Sequence, residues 1–151
     1  MSRPSVQRFL DRHGKVGIDT SVFIYFMEAH QRYLTLVEPV FTWLRGTRGG
    51  AVTSTLTMLE LLLQPYRLQK NDLVDGFYAL LTTYPNLEWA EVTLAIADRA
   101  AQLRAEFNLK TPDSIQAATA LVRQATGFVS NDPVFRRIKN LDVLILDELR
   151  R

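Results

Sequence analysis

Asp19, Glu60, Asp113 and Asp132 stand at comparable points of a chain of 151 residues. Asp19 closes the apolar run Val16 to Ile18, and Asp132 follows a second such run, Phe128 to Ser130. Glu60 lies in the helical stretch TLTMLELLLQP, directly after the small strand-like piece Ala51 to Ser54. Asp113 opens a further helical stretch behind Thr111 and Pro112. The chain has no cysteine, and its two histidines, His13 and His30, lie outside these turns. An all-oxygen set of this kind suits a hard divalent cation, Mg²⁺ or Mn²⁺, and suits zinc poorly. Such a cation polarises a phosphate, lowers the pKa of water and steadies a departing oxygen, which is the chemistry of phosphoryl or phosphodiester transfer.

Each acid also has an ordinary structural role. Asp19 can cap a following helix, Asp113 is favoured by the dipole of its own helix, and Asp132 before Pro133 is a common turn residue. Glu60 is harder to account for in that way. Met58, Leu59, Leu61, Leu62 and Leu63 surround it, so the segment reads as buried, and a lone carboxylate there needs a cation, a metal or solvent.

The elements that must position these acids alternate along the chain. A short amphipathic helix over Ser5 to Arg12 leads through Gly14 into the first strand, and Thr20 or Ser21 caps a helix from about Val22. A helical pattern over His30 to Arg45 is kinked or split by Pro39, and Gly46 to Gly50 loop into the second strand. Pro65 ends or bends the helix of Glu60, Asn71 caps the next, and Pro85 stops it. Leu87 to Val92 is a weak strand, Thr93 caps a long helix that closes at Asn108, and Thr111 caps the helix of Asp113. Ala117, Ala118 and Ala120 allow that last helix to pack closely. After Asp132 come a short helix and a strand over Val143 to Leu146. This order predicts an α/β fold, a mainly parallel sheet covered by helices on both faces, which sets acids at strand ends along one edge.

At 47% hydrophobic content the length suits one domain, over 1–151, with a substantial core. The net charge of +2 and pI of about 9.1 are compatible with a polyanionic partner. Arg99, Arg104, Arg136, Arg137 and Lys139 are candidates to hold a nucleic-acid backbone. MSRPSVQRFLDRHGK lacks an apolar core of signal-peptide length, and the longest apolar run, Val22 to Met27, is too short to span a bilayer. A soluble, cytoplasmic protein with no membrane partner is the expectation. A haloacid-dehalogenase-like phosphatase would need a second Asp where Ser21 stands, and a receiver domain would need paired acids where Ile18 and Thr20 flank Asp19.

Four stretches, GIDTSVFIYF, STLTMLELLLQPYR, LKTPDSIQAATAL and GFVSNDPVF, come in an order and spacing that resembles the PIN-domain family, specifically the VapC-type toxin ribonucleases. The resemblance covers about Val16 to Leu146. It implies a three-layer α/β/α sandwich with a four- or five-stranded sheet, and a Mg²⁺- or Mn²⁺-dependent endoribonuclease that hydrolyses RNA with a metal-activated water. Carried over by position, Asp19, Glu60, Asp113 and Asp132 form the catalytic acidic set. Asp19 and Asp113 are its most direct metal ligands, Asp132 belongs to the same metal set, and Glu60 and Asp132 act through water. Thr20, Ser54 and Asn131 fall where the family places polar support. The resemblance further implies a homodimer and a small antitoxin protein that covers an apolar groove near Phe23, Phe26, Met27, Tyr33 and Trp43. One departure stands out: many relatives carry an acid at the position of Val134, and Ser130 stands where Thr is frequent. That departure leaves room for a PIN scaffold that binds RNA or a protein without cutting. A housekeeping RNA-processing nuclease without an antitoxin is the other rival.

Overall fold

The computed structural model describes residues 2–149. Met1, Arg150 and Arg151, the outermost residues of the single domain read over 1–151, lie outside the described residues. Five strands, β1 (Lys15–Ile18), β2 (Gly50–Ser54), β3 (Leu87–Ala90), β4 (Gly127–Ser130) and β5 (Asp142–Ile145), form one sheet in the order β3-β2-β1-β4-β5. Every neighbouring pair is parallel. The helices are α1 (Ser2–His13), α2 (Thr20–Met27), α3 (Leu34–Leu44), α4 (Thr55–Arg67), α5 (Asn71–Leu81), α6 (Leu94–Phe107) and α7 (Thr111–Val122). Two short 3₁₀ segments, Pro133–Arg137 and Leu146–Leu149, flank β5.

Side chains alternate across the strands and so build two cores. Val16, Ile18, Ala51 and Val129 face the layer of α1 to α5, while Val52, Phe128, Val143 and Ile145 face α6 and α7. The result is the three-layer α/β/α sandwich, with the sheet five strands wide. Helix α7 approaches the sheet closely at Gly17 of β1. A Cβ there would lie 2.6 Å from Ala120 Cβ and 2.7 Å from Phe128 Cδ1, so only glycine lets α7 settle this tightly on the sheet.

Strand order runs outward from β1 to β2 and β3 on one side, then returns to place β4 on the other. The reversal opens a crevice beyond the carboxyl ends of β1 and β4, where such sheets bind ligands. Asp19 and Asp132 follow those two strands.

Several boundaries differ from the sequence reading, each for a local reason. Asp19 itself caps α2, accepting from Thr20 N at 2.9 Å, so Thr20 is the first helical residue. Lys70 and Lys110 occupy the N-cap positions of α5 and α7 without a side-chain bond, which moves Asn71 and Thr111 inside their helices. Pro39 and Pro65 do not split their helices. Helix α5 ends at Leu81 rather than at Pro85, where the hydroxyls of Thr82 and Thr83 bond Tyr78 O and Ala79 O, both at 2.6 Å. Thr93 caps α6 through Ile96 N, and Asn108 closes it in the left-handed region, φ 55°. No described helix is long and apolar enough to cross a membrane.

Candidate active site

Asp19 is partly buried at the carboxyl end of β1, and its backbone N–H completes the pairing with β4 by donating to Val129 O at 3.0 Å. One carboxylate oxygen accepts from Thr20 N, the other from Ser130 Oγ at 2.7 Å. Ser130 Oγ in turn accepts from Asp132 N at 3.0 Å, which ties the two strand ends together. Burial pushes the Asp19 carboxyl up from 3.8 to about 6 against those hydrogen bonds, and the nearby charges of Asp113 and Glu60 add to the rise.

Asp113, in the first turn of α7, is also raised, mainly by burial and next by the charge of Asp132, with Lys110 opposing and Glu60 adding. Asp132 caps the 3₁₀ segment by accepting from Val134 N at 3.0 Å. Glu60 lies on the exposed side of α4, and its Oε1 accepts from Thr20 Oγ1 at 2.6 Å. The reading of Glu60 as the one charge in a buried helix is therefore corrected. Helix α4 buries only Thr57, Met58, Leu61, Leu62 and Pro65, while Leu59 and Leu63 stay 61% and 46% exposed. An apolar surface face looks, in a sequence, the same as a buried one.

Mutual repulsion thus links all four acids, and none forms an ion pair among the described residues. Carboxylates crowded in this way, with two of them held above their usual range, favour a bound cation. Among the described residues no three His, Cys, Asp or Glu side chains converge as a ready-made cage. Mg²⁺ does not need one, because it keeps several waters and takes one or two carboxylates together with substrate phosphates. The donor set fits such an ion.

The supporting residues separate. Thr20 touches both Asp19 and Glu60. Ser54 caps α4 through Leu56 N at 3.0 Å and, among the described residues, hydrogen-bonds none of the acids. Asn131 turns away, donating to Tyr25 OH and accepting from Asp147 N. Ser130, whose hydroxyl holds Asp19, carried only a weak signal in the sequence, its place directly before Asn131 and Asp132.

A cleft of about 540 Å³ adjoins Asp113 and Asp132, and Arg104, Lys110 and Arg137 line it together with Val134. Of the five basic candidates, Arg104 and Arg137 face this cleft. Arg99 bonds Gln102 along α6, Arg136 pairs with Glu148, and Lys139 is not part of the lining. Lys110 was missed because a lone lysine before Thr-Pro carries no distinguishing pattern. A second, mostly apolar groove of about 310 Å³ lies between α2, α4 and α5, lined by Ile24, Met27, Leu61, Leu73 and Phe77 together with Glu28 and Glu60. Only Met27 of the five expected groove residues lines it. Phe23, Tyr33 and Trp43 are core, and Phe26 stacks on Phe41.

The model of the PIN domain matches residues 16–141 of this sequence. The chain belongs to the PIN-domain family. Solved structures with the same fold include a toxin-antitoxin complex from Klebsiella pneumoniae, 21% identical with a TM-score of 0.64, covering 86% of this chain and 95% of that one. VapBC2 from Rickettsia felis, bound to a DNA fragment from its promoter, is 19% identical with a TM-score of 0.63 over 87% of this chain and 98% of that one. DNA-bound VapBC from Salmonella typhimurium is 22% identical, also at 0.63, with 87% and 98% covered. No functionally curated protein matches the chain.

Proposed function

We propose that the protein is a Mg²⁺- or Mn²⁺-dependent endoribonuclease, the VapC-type toxin of a toxin-antitoxin pair, with Asp19, Glu60, Asp113 and Asp132 as its acidic set. The observation that carries this reading is the unpaired, mutually repelling carboxylate group at the sheet's switch point, next to a cleft lined by three cations. Asp19 and Asp113, the two acids with raised pKa, would hold the ion, with Asp132 completing the metal set. When bound, the ion supplies charge to the scissile phosphate and acidifies water. Glu60 is held by Thr20 through one oxygen, which leaves the other to orient a water or take its proton. Asp132 is fixed by Val134 N in the same one-sided way. Arg104, Lys110 and Arg137 would bind the phosphates of an RNA strand leading to the acids.

VapBC neighbours and the apolar groove that includes Glu60 support a small antitoxin partner whose apolar helix fills the groove and whose basic side chain meets the acids. Leu59, Leu63 and Tyr66, exposed along one stripe of α4, are where we place a homodimer contact. The non-cutting scaffold is disfavoured by the intact acidic set, since Val134 removes no oxygen from it.

Incubating the purified, antitoxin-free protein with total cellular RNA tests the reading. Discrete fragments in Mg²⁺ or Mn²⁺, and none in EDTA, are expected; a folded, metal-loaded protein that cuts no RNA would leave only the scaffold.

A further inference from the structure

Gln116 stands in the middle of the sheet-facing side of α7, between Asp113 and the alanines that press against β1, and is only 3% exposed. A buried amide among alanines is costly unless its donors are satisfied. Its Nε2 donates to Thr57 Oγ1 at 2.8 Å and to Thr20 Oγ1 at 3.3 Å.

The remaining bonds fix the direction of every proton. Thr53 Oγ1 donates to Ile18 O at 2.9 Å, so Thr57 is the donor in its 2.7 Å bond to Thr53. Thr20 lies 3.2 Å from Thr57 Oγ1 but 2.6 Å from the Glu60 carboxylate, and the shorter, charge-assisted bond takes its proton. Both hydroxyls therefore have only acceptor capacity left toward Gln116, which settles the amide with its nitrogen facing them. The chain of bonds runs from α7 through Thr20 to Glu60, with Thr57 and Thr53 tying it to the sheet.

We propose that Gln116 is a positioning residue for the acidic site: by donating to Thr20 and Thr57 it holds the Thr20 hydroxyl in place, so that its proton points to Glu60 and fixes that carboxylate. The proposal rests on the nuclease reading. Partners one bond removed from metal ligands typically govern affinity or activity by about 10- to 100-fold, and Gln116, bonded to Thr20 and through it to Glu60, falls at the low end of that range.

Mn²⁺ binding by calorimetry, RNA cleavage and thermal melting are compared for the wild type, Gln116→Leu, Thr20→Val and the double variant. Gln116→Leu is expected to lower kcat about tenfold with the KM for RNA unchanged. The double variant should lose no more than the worse single one, because both interrupt the same path. Gln116→Leu with an altered melting temperature but with Mn²⁺ affinity and kcat within about twofold of wild type would overturn the proposal and leave Gln116 a structural amide. Should Gln116→Leu not fold, Thr57→Val removes the amide's main anchor instead, and wild-type affinity and kcat there overturn the proposal equally. A wild-type protein that neither binds Mn²⁺ nor cuts RNA would overturn the nuclease reading, and this proposal with it.

Discussion

Asp19→Asn is expected to lose RNA cleavage while gaining stability. Removing one carboxylate from the site forfeits several kcal/mol of transition-state stabilisation, a loss of at least about 10³-fold in rate. The stability change has the opposite sign. The folded protein holds a proton on Asp19 up to about pH 6, whereas the ordinary value is 3.8. Between those values the folded state binds more protons than the unfolded one, so stability falls as pH rises through that window and stays lowered above it. The full shift corresponds to ~3 kcal/mol, which residual solvent exposure reduces to ~2. Asparagine can still accept from Thr20 N, and its amide can donate to Ser130 Oγ, so the local geometry survives. Metal-free Asp19→Asn should melt roughly 5 °C above wild type at pH 7.5. Near pH 4 the difference should disappear. A calorimetric melt in EDTA at both pH values, beside a cleavage assay in Mn²⁺, reads both halves; a destabilised variant at pH 7.5 would contradict the electrostatic account of the site.

Replacing Arg104, Lys110 and Arg137 together with glutamine should weaken RNA binding about 30-fold at moderate salt. Three lost phosphate contacts on a single strand should also reduce the slope of log affinity against log salt by about 2. Arg137 Nη1 also donates to Asn108 O at 3.1 Å, so a thermal melt of the variant accompanies the binding measurement. Fluorescence anisotropy with a labelled single-stranded RNA in EDTA separates this from catalysis. An unchanged salt slope would mean that RNA reaches the acids by another route.

Asp19 and Asp132 were legible because each follows a strand where the sequence changes period to helix or loop. Alternating strands and helices then dictate a parallel sheet, and a parallel sheet gathers strand ends on one edge. The polar framework behind the acids was not legible. Gln116 reads as one polar residue in QAATAL, and its role depends on how far α7 rotates toward β1, which Gly17 and Ala120 determine by contact across 103 positions of chain. Thr57 is likewise an ordinary helix residue until Thr53, Thr20 and Gln116 meet it. The basic cleft was half legible: arginines can be counted in a sequence, but whether one turns to a cleft or, like Arg136, to Glu148 depends on the fold. Helix α4 misled because periodicity reports which side chains are apolar, not which are covered.

Anomalous scattering from crystals grown with Mn²⁺ tests the central claim most directly, since it locates the ion without reference to any substrate. The account predicts a peak within coordination distance of Asp19 and Asp113, lost in Asp19→Asn. A well-occupied Mn²⁺ elsewhere on the protein, with these carboxylates bare at neutral pH, would contradict it.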